Sequence, residues 1–264
     1  MLRVLGRKII LESGNYPGIT LYGGGGDFRL VEMPEGLFST SVDNVFSTPW
    51  NMDGGYWRGA TRPVRDLRFK VRLKGAHPLG DLTNLWFVLN DDGLQLRFVA
   101  GDSTVRTTAV RLKSVSEPDF NKGNPDTAGM IDVEFILAMP YPWFVGEPVT
   151  ETKRVEGGTT EPILFKQVGD KRTWPVLVLD GVLDGAVLTV GGVSGRLPNN
   201  AHRVDTQPAT CSMVDAGGHR VEGVVPYFPT PLELQDADHV RIGFQNPNPV
   251  DVSLTVTPEW SLPW

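Results

Sequence analysis

The sequence predicts a mainly β protein with two domains and one helix, and three observations lead to this fold class. Apolar and polar residues alternate strictly in several short stretches, as a strand with one buried face requires. Glycine (30 residues) and proline (21 residues) separate these stretches and favour turns. A chain of 264 residues is long for one domain and sufficient for two.

Alternation is clearest between Leu67 and Lys74, where Leu, Phe and Val alternate with Arg and Lys. Similar stretches with one apolar face occur at 94–98, 110–113, 131–137, 240–244 and 250–256. Turn-forming residues stand between them, as at 91–93 and 246–249. Each stretch is therefore predicted to be a half-buried strand.

One helix is predicted to begin at Asp81, a good N-cap residue. Apolar residues then recur at the three-and-four spacing of an amphipathic helix: Leu82, Leu85, Trp86 and Leu89. Residues 90–93 are predicted to end the helix, with Gly93 in a left-handed conformation.

The interval 147–161 offers little to a core, because Glu, Thr, Gly, Lys and Pro dominate it. The aromatic and proline-rich stretch 141–144 precedes it, and strands resume at Ile163. We therefore predict a first domain of residues 1–146, a linker of residues 147–161 and a second domain of residues 162–264.

Charge and cysteine content exclude several classes of protein. The net charge is −6 and the isoelectric point is near 5.3, whereas a dedicated nucleic-acid binder usually has a basic domain. The same balance gives no support to docking on an anionic membrane surface. A single cysteine, Cys211, excludes an internal disulfide framework and a multi-cysteine metal site. No signal peptide is predicted, because Arg3, Arg7 and Lys8 interrupt the first ten residues, and no apolar run approaches the ~20 residues that span a bilayer.

No motif predicts a reaction. The glycines at 23–26 lack the Lys-Ser/Thr of a phosphate loop, and Gly101–Ser103 is typical of a hairpin turn. His239, beside Asp236 and Asp238, is the only near-cluster of metal-ligating residue types. Paired carboxylates such as Asp91–Asp92 are explained by turns. We therefore predict no catalytic, cofactor-binding or metal-binding residues, and no cofactor.

Two groups of residues are candidates for an interface. Arg68, Lys70, Arg72 and Lys74 form a basic stripe on one face of a strand, which is either a solvated face or a contact between subunits. Trp50 and Trp57 stand in a Pro/Gly-rich segment, where they either fill a core, anchor a protein interface or stack on a sugar.

The order of these elements resembles that of the distal tail proteins of siphovirus bacteriophages, often described as minor tail proteins. The stretches that carry the resemblance in the first domain are 53–54, 65–74, the helix from Asp81, 94–100 and 131–144. In the second domain they are 174–181, 203–206, 232–234, 240–244 and 254–260.

The resemblance implies a first domain that is a β-sandwich or barrel and assembles into a hexameric ring, and a galectin-like β-sandwich as the second domain. Such a ring joins the tail tube to the tip complex and the host-adhesion apparatus. The implied partners are further copies of the chain, the tail tube protein and tail hub proteins. The implied location is the virion tail tip, after synthesis in the cytoplasm of the host bacterium.

A carbohydrate-binding β-sandwich of a glycan-active or host-recognition protein is the alternative, because such sandwiches present stacking surfaces. An enzyme is the third choice. Neither sequence-specific binding of nucleic acid nor membrane insertion is expected.

Overall fold

A computed structural model describes residues 7–38, 42–47, 56–101, 103–118, 125–166, 169, 174–190, 193–207, 212–221 and 239–263. The chain divides into two compact units. Unit 1 consists of Met1–Val145 together with Ser261–Trp264, and unit 2 consists of Gly146–Trp260. Neither helix within the described ranges has the length and apolar content that crossing a membrane requires.

Unit 1 is built from eleven strands and two helices, with the last strand reaching the boundary between the units. In chain order they are β1 (Lys8–Glu12), β2 (Ile19–Tyr22), β3 (Phe28–Leu30), β4 (Asp43–Ser47), β5 (Tyr56–Thr61), β6 (Arg65–Lys74), α1 (Pro78–Leu89), β7 (Gln95–Val99), β8 (Val105–Ala109), β9 (Arg111–Val115), α2 (Pro125–Ala128), β10 (Met130–Met139) and β11 (Phe144–Gly146).

The strands of unit 1 form two larger sheets and a separate hairpin. One sheet has the order β2-β1-β7-β8-β11, the second has the order β3-β6-β10-β9, and β4 pairs with β5 alone. In the second sheet, β6 and β10 pair antiparallel over ten residues, from Met130 opposite Lys74 to Met139 opposite Arg65. Helix α1 contacts both of these strands.

Alternation places the core of unit 1 as the sequence predicts. In β6, the four apolar residues from Leu67 to Leu73 are fully buried, while the arginines and lysines between them face outwards. Phe69 stacks on Phe135 of β10, with ring centroids 5.3 Å apart. In the other sheet, Phe98 meets Phe144 edge to face at 5.1 Å.

Unit 2 contains the remaining ten strands. They are β12 (Val149–Val155), β13 (Ile163–Lys166), β14 (Val176–Gly181), β15 (Val187–Val190), β16 (Val193–Arg196), β17 (Arg203–Asp205), β18 (Ser212–Val214), β19 (His239–Gln245), β20 (Val250–Val256) and β21 (Glu259–Trp260). Nine of them form two antiparallel sheets, ordered β12-β20-β14-β17-β18 and β13-β19-β15-β16. Buried residues from both sheets make one core, which includes Phe165, Leu177 and Phe244.

The predicted mainly β fold is therefore confirmed, and unit 2 has the two-sheet architecture of a sandwich. Its galectin-like character stays a prediction. The hairpin turn predicted at Gly101–Ser103 joins β7 to β8 as expected.

The predicted linker at 147–161 is wrong over seven of its fifteen residues. It contains β12, which pairs with β20 along the whole strand, from Val149 opposite Val256 to Val155 opposite Val250. The sequence shows no apolar alternation for this strand, because only Val155 of β12 is buried. Hydroxyl pairs on the exposed face, Thr150 with Thr255 at 2.8 Å and Thr152 with Ser253 at 2.7 Å, join β12 to its neighbour instead.

The predicted helix exists, but it begins three residues earlier than expected. Pro78 occupies the start of α1, where its fixed φ suits a first helical residue, and Asp81 lies in the first turn and is not the N-cap. Gly93 does not adopt a positive φ. At the C-terminal end of the helix, the C-cap residue Asn90 donates its amide N–H to the carbonyl of Trp86 at 3.2 Å. The structure also adds the four-residue α2, which the sequence analysis did not predict.

Candidate functional site

The hairpin β4–β5 is a two-stranded sheet that joins no other sheet within the described residues. All four described side chains of β4, from Asp43 to Phe46, are exposed. Val45 is 46% and Phe46 is 61% exposed. Two-stranded sheets are marginally stable in water unless something packs on them. Among the described side chains, those of β4 are therefore left uncovered.

The predicted Trp50 lies outside the described residues. Trp57 lies on β5 opposite Phe46, but its side chain is outside the described part of the structure. The roles considered for both tryptophans stay predictions. The structure does show that the Pro/Gly-rich segment around them contains a hairpin and is not one continuous loop.

The predicted basic stripe lies on β6 and faces away from the core, but it is not a uniformly basic surface. Register brings two acidic residues of β10 opposite it, with Asp132 facing Arg72 and Glu134 facing Lys70. Arg72 donates to both oxygens of Asp132, at 2.7 and 2.8 Å. This bond is the main reason that the pKa of Arg72 is raised. Exposed pairs of this kind contribute little stability, so their main effect is to neutralise charge.

The remaining cations of the stripe differ in their pairing. Arg68 lies 3.5 Å from Glu134 and 3.9 Å from Glu35. Lys70 and Lys74 form no salt bridge with any described residue. Two positive charges on this face are therefore available to a partner, instead of the four that the sequence suggested.

A groove lies between α1 and the end of β9. It has a volume of about 370 Å³ and is lined by Leu82, Thr83, Trp86, Val115, Ser116, Glu117 and Pro118. Trp86 fits the apolar spacing of the predicted amphipathic helix and is expected on its buried face, but this side chain is 50% exposed. That expectation is wrong because α1 turns Leu85, Val88 and Leu89 towards the core, leaving Trp86 beside them at the rim.

A second groove, of about 400 Å³, lies in unit 2 and is polar. Its lining includes Asp180, Asn199, Asn200, His202 and Asp215. Two of these side chains, His202 and Asp215, make hydrogen bonds within unit 2. His202 Nδ1 donates to the carbonyl of Leu179 at 2.8 Å. Asp215 accepts from the backbone amides at 217 and 219, which lowers its pKa, the bond from 219 having the largest effect.

No group of three or more His, Cys, Asp or Glu side chains converges as a metal site within the described residues. Asp236 and Asp238, two members of the near-cluster noted in the sequence, lie outside those residues. The absence of a cofactor stays an expectation.

The fold of this chain, with its two β units, is also found in a solved structure. The chain is similar to the Dit protein of phage SPP1, described as a paradigm of the hub adsorption apparatus in phages that infect Gram-positive bacteria. The TM-score is 0.59, with 17% sequence identity over 94% of this chain and 98% of that chain. The mainly β, two-domain fold that the sequence resemblance implied is therefore confirmed.

Two structures of the phage P2 baseplate in its activated conformation are also similar. The one with Ca has a TM-score of 0.47 and 8% identity, and the one with Sr has a TM-score of 0.45 and 9% identity. Each similarity covers 97% of this chain and 99% of the other. No protein-family model and no curated protein sequence matches the chain.

Proposed function

We propose that this chain is a structural component of a phage tail tip, a ring that joins the tail tube to the tip complex and the host-adhesion apparatus. The observation that carries the proposal is the hairpin β4–β5, which exposes Val45 and Phe46 and has no third strand in the described residues. The fold shared with a phage hub protein supports it.

A ring of identical subunits needs a head-to-tail contact, in which two different surfaces of the same chain meet. An exposed hairpin with two exposed apolar side chains is suited to one half of such a contact. Aromatic side chains near the centre of an interface commonly carry much of its binding energy. Phe46 is therefore expected to contribute strongly to assembly.

The ring is expected to be a hexamer whose contacts come from unit 1. Its further partners are expected to be the tail tube protein and tail hub proteins, and its location the tail tip of the virion. We expect it to catalyse no reaction and to need no metal or organic cofactor. Unit 2 then lies on the outside of the ring as a separate sandwich.

Light scattering on the full-length chain tests this function. Six copies of 29.0 kDa give about 174 kDa. Phe46→Asp is expected to convert the assembly into monomers without changing thermal unfolding of the monomer, since the side chain is exposed. Val182→Asp, at an equally exposed apolar residue of unit 2, is the matched control and should leave the mass unchanged. A wild-type chain that stays monomeric at every concentration would contradict the proposal.

The alternative of a carbohydrate-binding module rests on the polar groove of unit 2, whose amide and carboxylate side chains are suited to hydroxyl groups. A monomer that binds glycans, and loses binding on Asn200→Ala, would favour this alternative. The same measurement made on an assembled ring would show whether both properties coexist.

A further inference from the structure

Helix α1 is apolar on more than one face. Pro78, Leu85, Val88 and Leu89 are buried. On the outer side, Leu79 is 37%, Trp86 is 50% and Phe87 is 48% exposed. Soluble helices normally carry polar residues on the face opposite the core, and a helix that is apolar around its circumference is normally covered. The outer side of α1 therefore carries three large apolar side chains beside the exposed polar residues Thr83 and Asn84.

The groove beside Trp86 continues this apolar surface. Its opposite wall is the end of β9, from Val115 to Pro118. β9 stands at the edge of its sheet, so that within the described residues only one of its sides is paired, with β10. The groove lies at the end of this edge strand, with Val115 in its lining, and apolar grooves and strand edges are both common docking places for extended segments or hairpins.

We propose that this α1/β9 groove receives the hairpin β4–β5 of a second copy of the chain. This inference rests on the proposed ring, in which the hairpin is one half of the contact between subunits and the groove is the other half. A head-to-tail contact requires two unlike patches on one subunit, and unit 1 carries two such apolar patches. Phe46 and Trp86 are both about half exposed or more in the same chain, so the hairpin does not fill the groove of its own subunit.

Charge supports the same pairing. Arg58 on β5 is exposed, and Glu117 at the rim of the groove is exposed. Neither forms a salt bridge with any described residue. A hairpin seated in the groove of a neighbour brings a free cation towards a free carboxylate, and complementary charges of this kind fix the register of an interface.

Cysteine cross-linking between two variants tests the proposal. Both variants carry Cys211→Ser, which leaves no native thiol. One has Val45→Cys on the hairpin and the other Thr83→Cys in the groove, two substitutions of similar size that keep Phe46 and Trp86. A short bis-maleimide added to the mixture is expected to give a covalent dimer of about 58 kDa, twice 29.0 kDa. Each variant alone is expected to stay uncross-linked.

Val182→Cys in unit 2, mixed with Val45→Cys, is the control and should give no dimer. The proposal is overturned if the mixture stays uncross-linked while light scattering still shows a ring, a result that leaves the proposed function intact. Equal cross-linking of Thr83→Cys with itself would also overturn it, because that indicates a symmetric contact. Absence of any assembly would contradict both.

Charge reversal gives an independent measurement. Arg58→Glu or Glu117→Arg alone should weaken assembly by about tenfold, because each places like charges together at the contact. The double variant should recover most of the loss, with monomer unfolding unchanged throughout. Additive losses in the double variant would contradict the assigned pairing.

Discussion

At the scale of single residues, Asp91 ties two turns of unit 1 together. Its carboxylate accepts from the hydroxyl of Ser13, from the amide N of Gly93 at 2.7 Å and from the amide N of Asn15 at 3.1 Å. Ser13 and Asn15 follow β1, whereas Asp91 follows α1, so these bonds join segments far apart in sequence. The side chain is buried, and each bond favours its ionised form.

Asp91→Ala is expected to lower the Tm of unit 1 by about 4 °C or more, because it leaves several donors without their acceptor. Asp92→Ala is the matched control, since this exposed neighbour accepts no such set of bonds. Calorimetry on both variants measures the difference. Equal effects from the two substitutions would show that the carboxylate of Asp91 has no special role.

The same site predicts how the stability depends on pH. Hydrogen bonds lower the pKa of Asp91 in the folded protein, the one from Ser13 having the largest effect and the one from Gly93 the next largest. A lowered folded pKa stabilises the protein above the unfolded value of about 3.9, and the stabilisation is lost as pH falls through the folded pKa. The difference in Tm between wild type and Asp91→Ala should therefore be constant above about pH 5 and shrink below about pH 4. A difference that grows on acidification would contradict the assignment.

The basic stripe of β6 and Trp86 of α1 show what a sequence can and cannot reveal. The alternation of β6 correctly predicts that Arg68 to Lys74 face outwards, but it cannot show that Asp132 and Glu134 lie opposite them, since that depends on register with β10. Trp86 fits the helical spacing of a core residue, and only the orientation of α1 places it at the rim. The one available signal was the excess of apolar residues around this helix.

At the scale of elements, two glycines of unit 1 differ in whether the surrounding structure has room for a side chain. Gly80 lies in the first turn of α1, and a Cβ added there would meet only the Cβ of His77, at 3.9 Å. Gly36 has φ +80°, and a Cβ there would lie 2.1 Å from the carbonyl oxygen of Asp66. One position therefore has room for a side chain and the other does not.

Gly80→Ala is expected to stabilise unit 1 by about 0.5–1 kcal/mol, because alanine restricts the unfolded chain and favours the helix. Gly36→Ala should destabilise the same unit, since both its φ and its contact with Asp66 oppose a side chain. Denaturant unfolding of both variants provides the measurement. Loss of stability in Gly80→Ala would mean that α1 begins later than Pro78.

Elements with a buried apolar face were the predictable ones. The strands β6, β10 and β20 follow directly from alternation, because one face of each packs on a core. β12 was not predicted because it is held by pairing with β20 and by hydroxyl contacts. Neither kind of contact requires apolar residues to alternate along the strand. The start of α1 was misplaced because two N-terminal signals, Asp81 and Pro78, lie three residues apart.

At the scale of the whole molecule, Ser261–Trp264 belongs to unit 1 although it follows unit 2 in sequence. Arg106 of β8 donates to the carbonyl of Leu262 at 2.8 Å, and Pro263 is buried. The short segment is therefore part of the structure of unit 1.

Deletion of residues 261–264 is expected to destabilise unit 1 by about 1–3 kcal/mol, because it removes the acceptor of Arg106 and exposes apolar surface. Unit 2 should unfold as before. Leu262→Ala, which keeps the backbone carbonyl, is the control and should cost less. Calorimetry that shows the same unfolding profile with and without the segment would contradict this role.

Within unit 2, the first residue lies beside the last strand, since the amide N of Gly146 donates to the carbonyl of Pro258 at 2.8 Å. During synthesis on the ribosome, unit 1 is therefore made without its final segment. Residues 146–260 must be synthesised before residues 261–263 can join unit 1. Unit 1 is thus a discontinuous folding unit, and its completion waits for synthesis of the sandwich inserted into it.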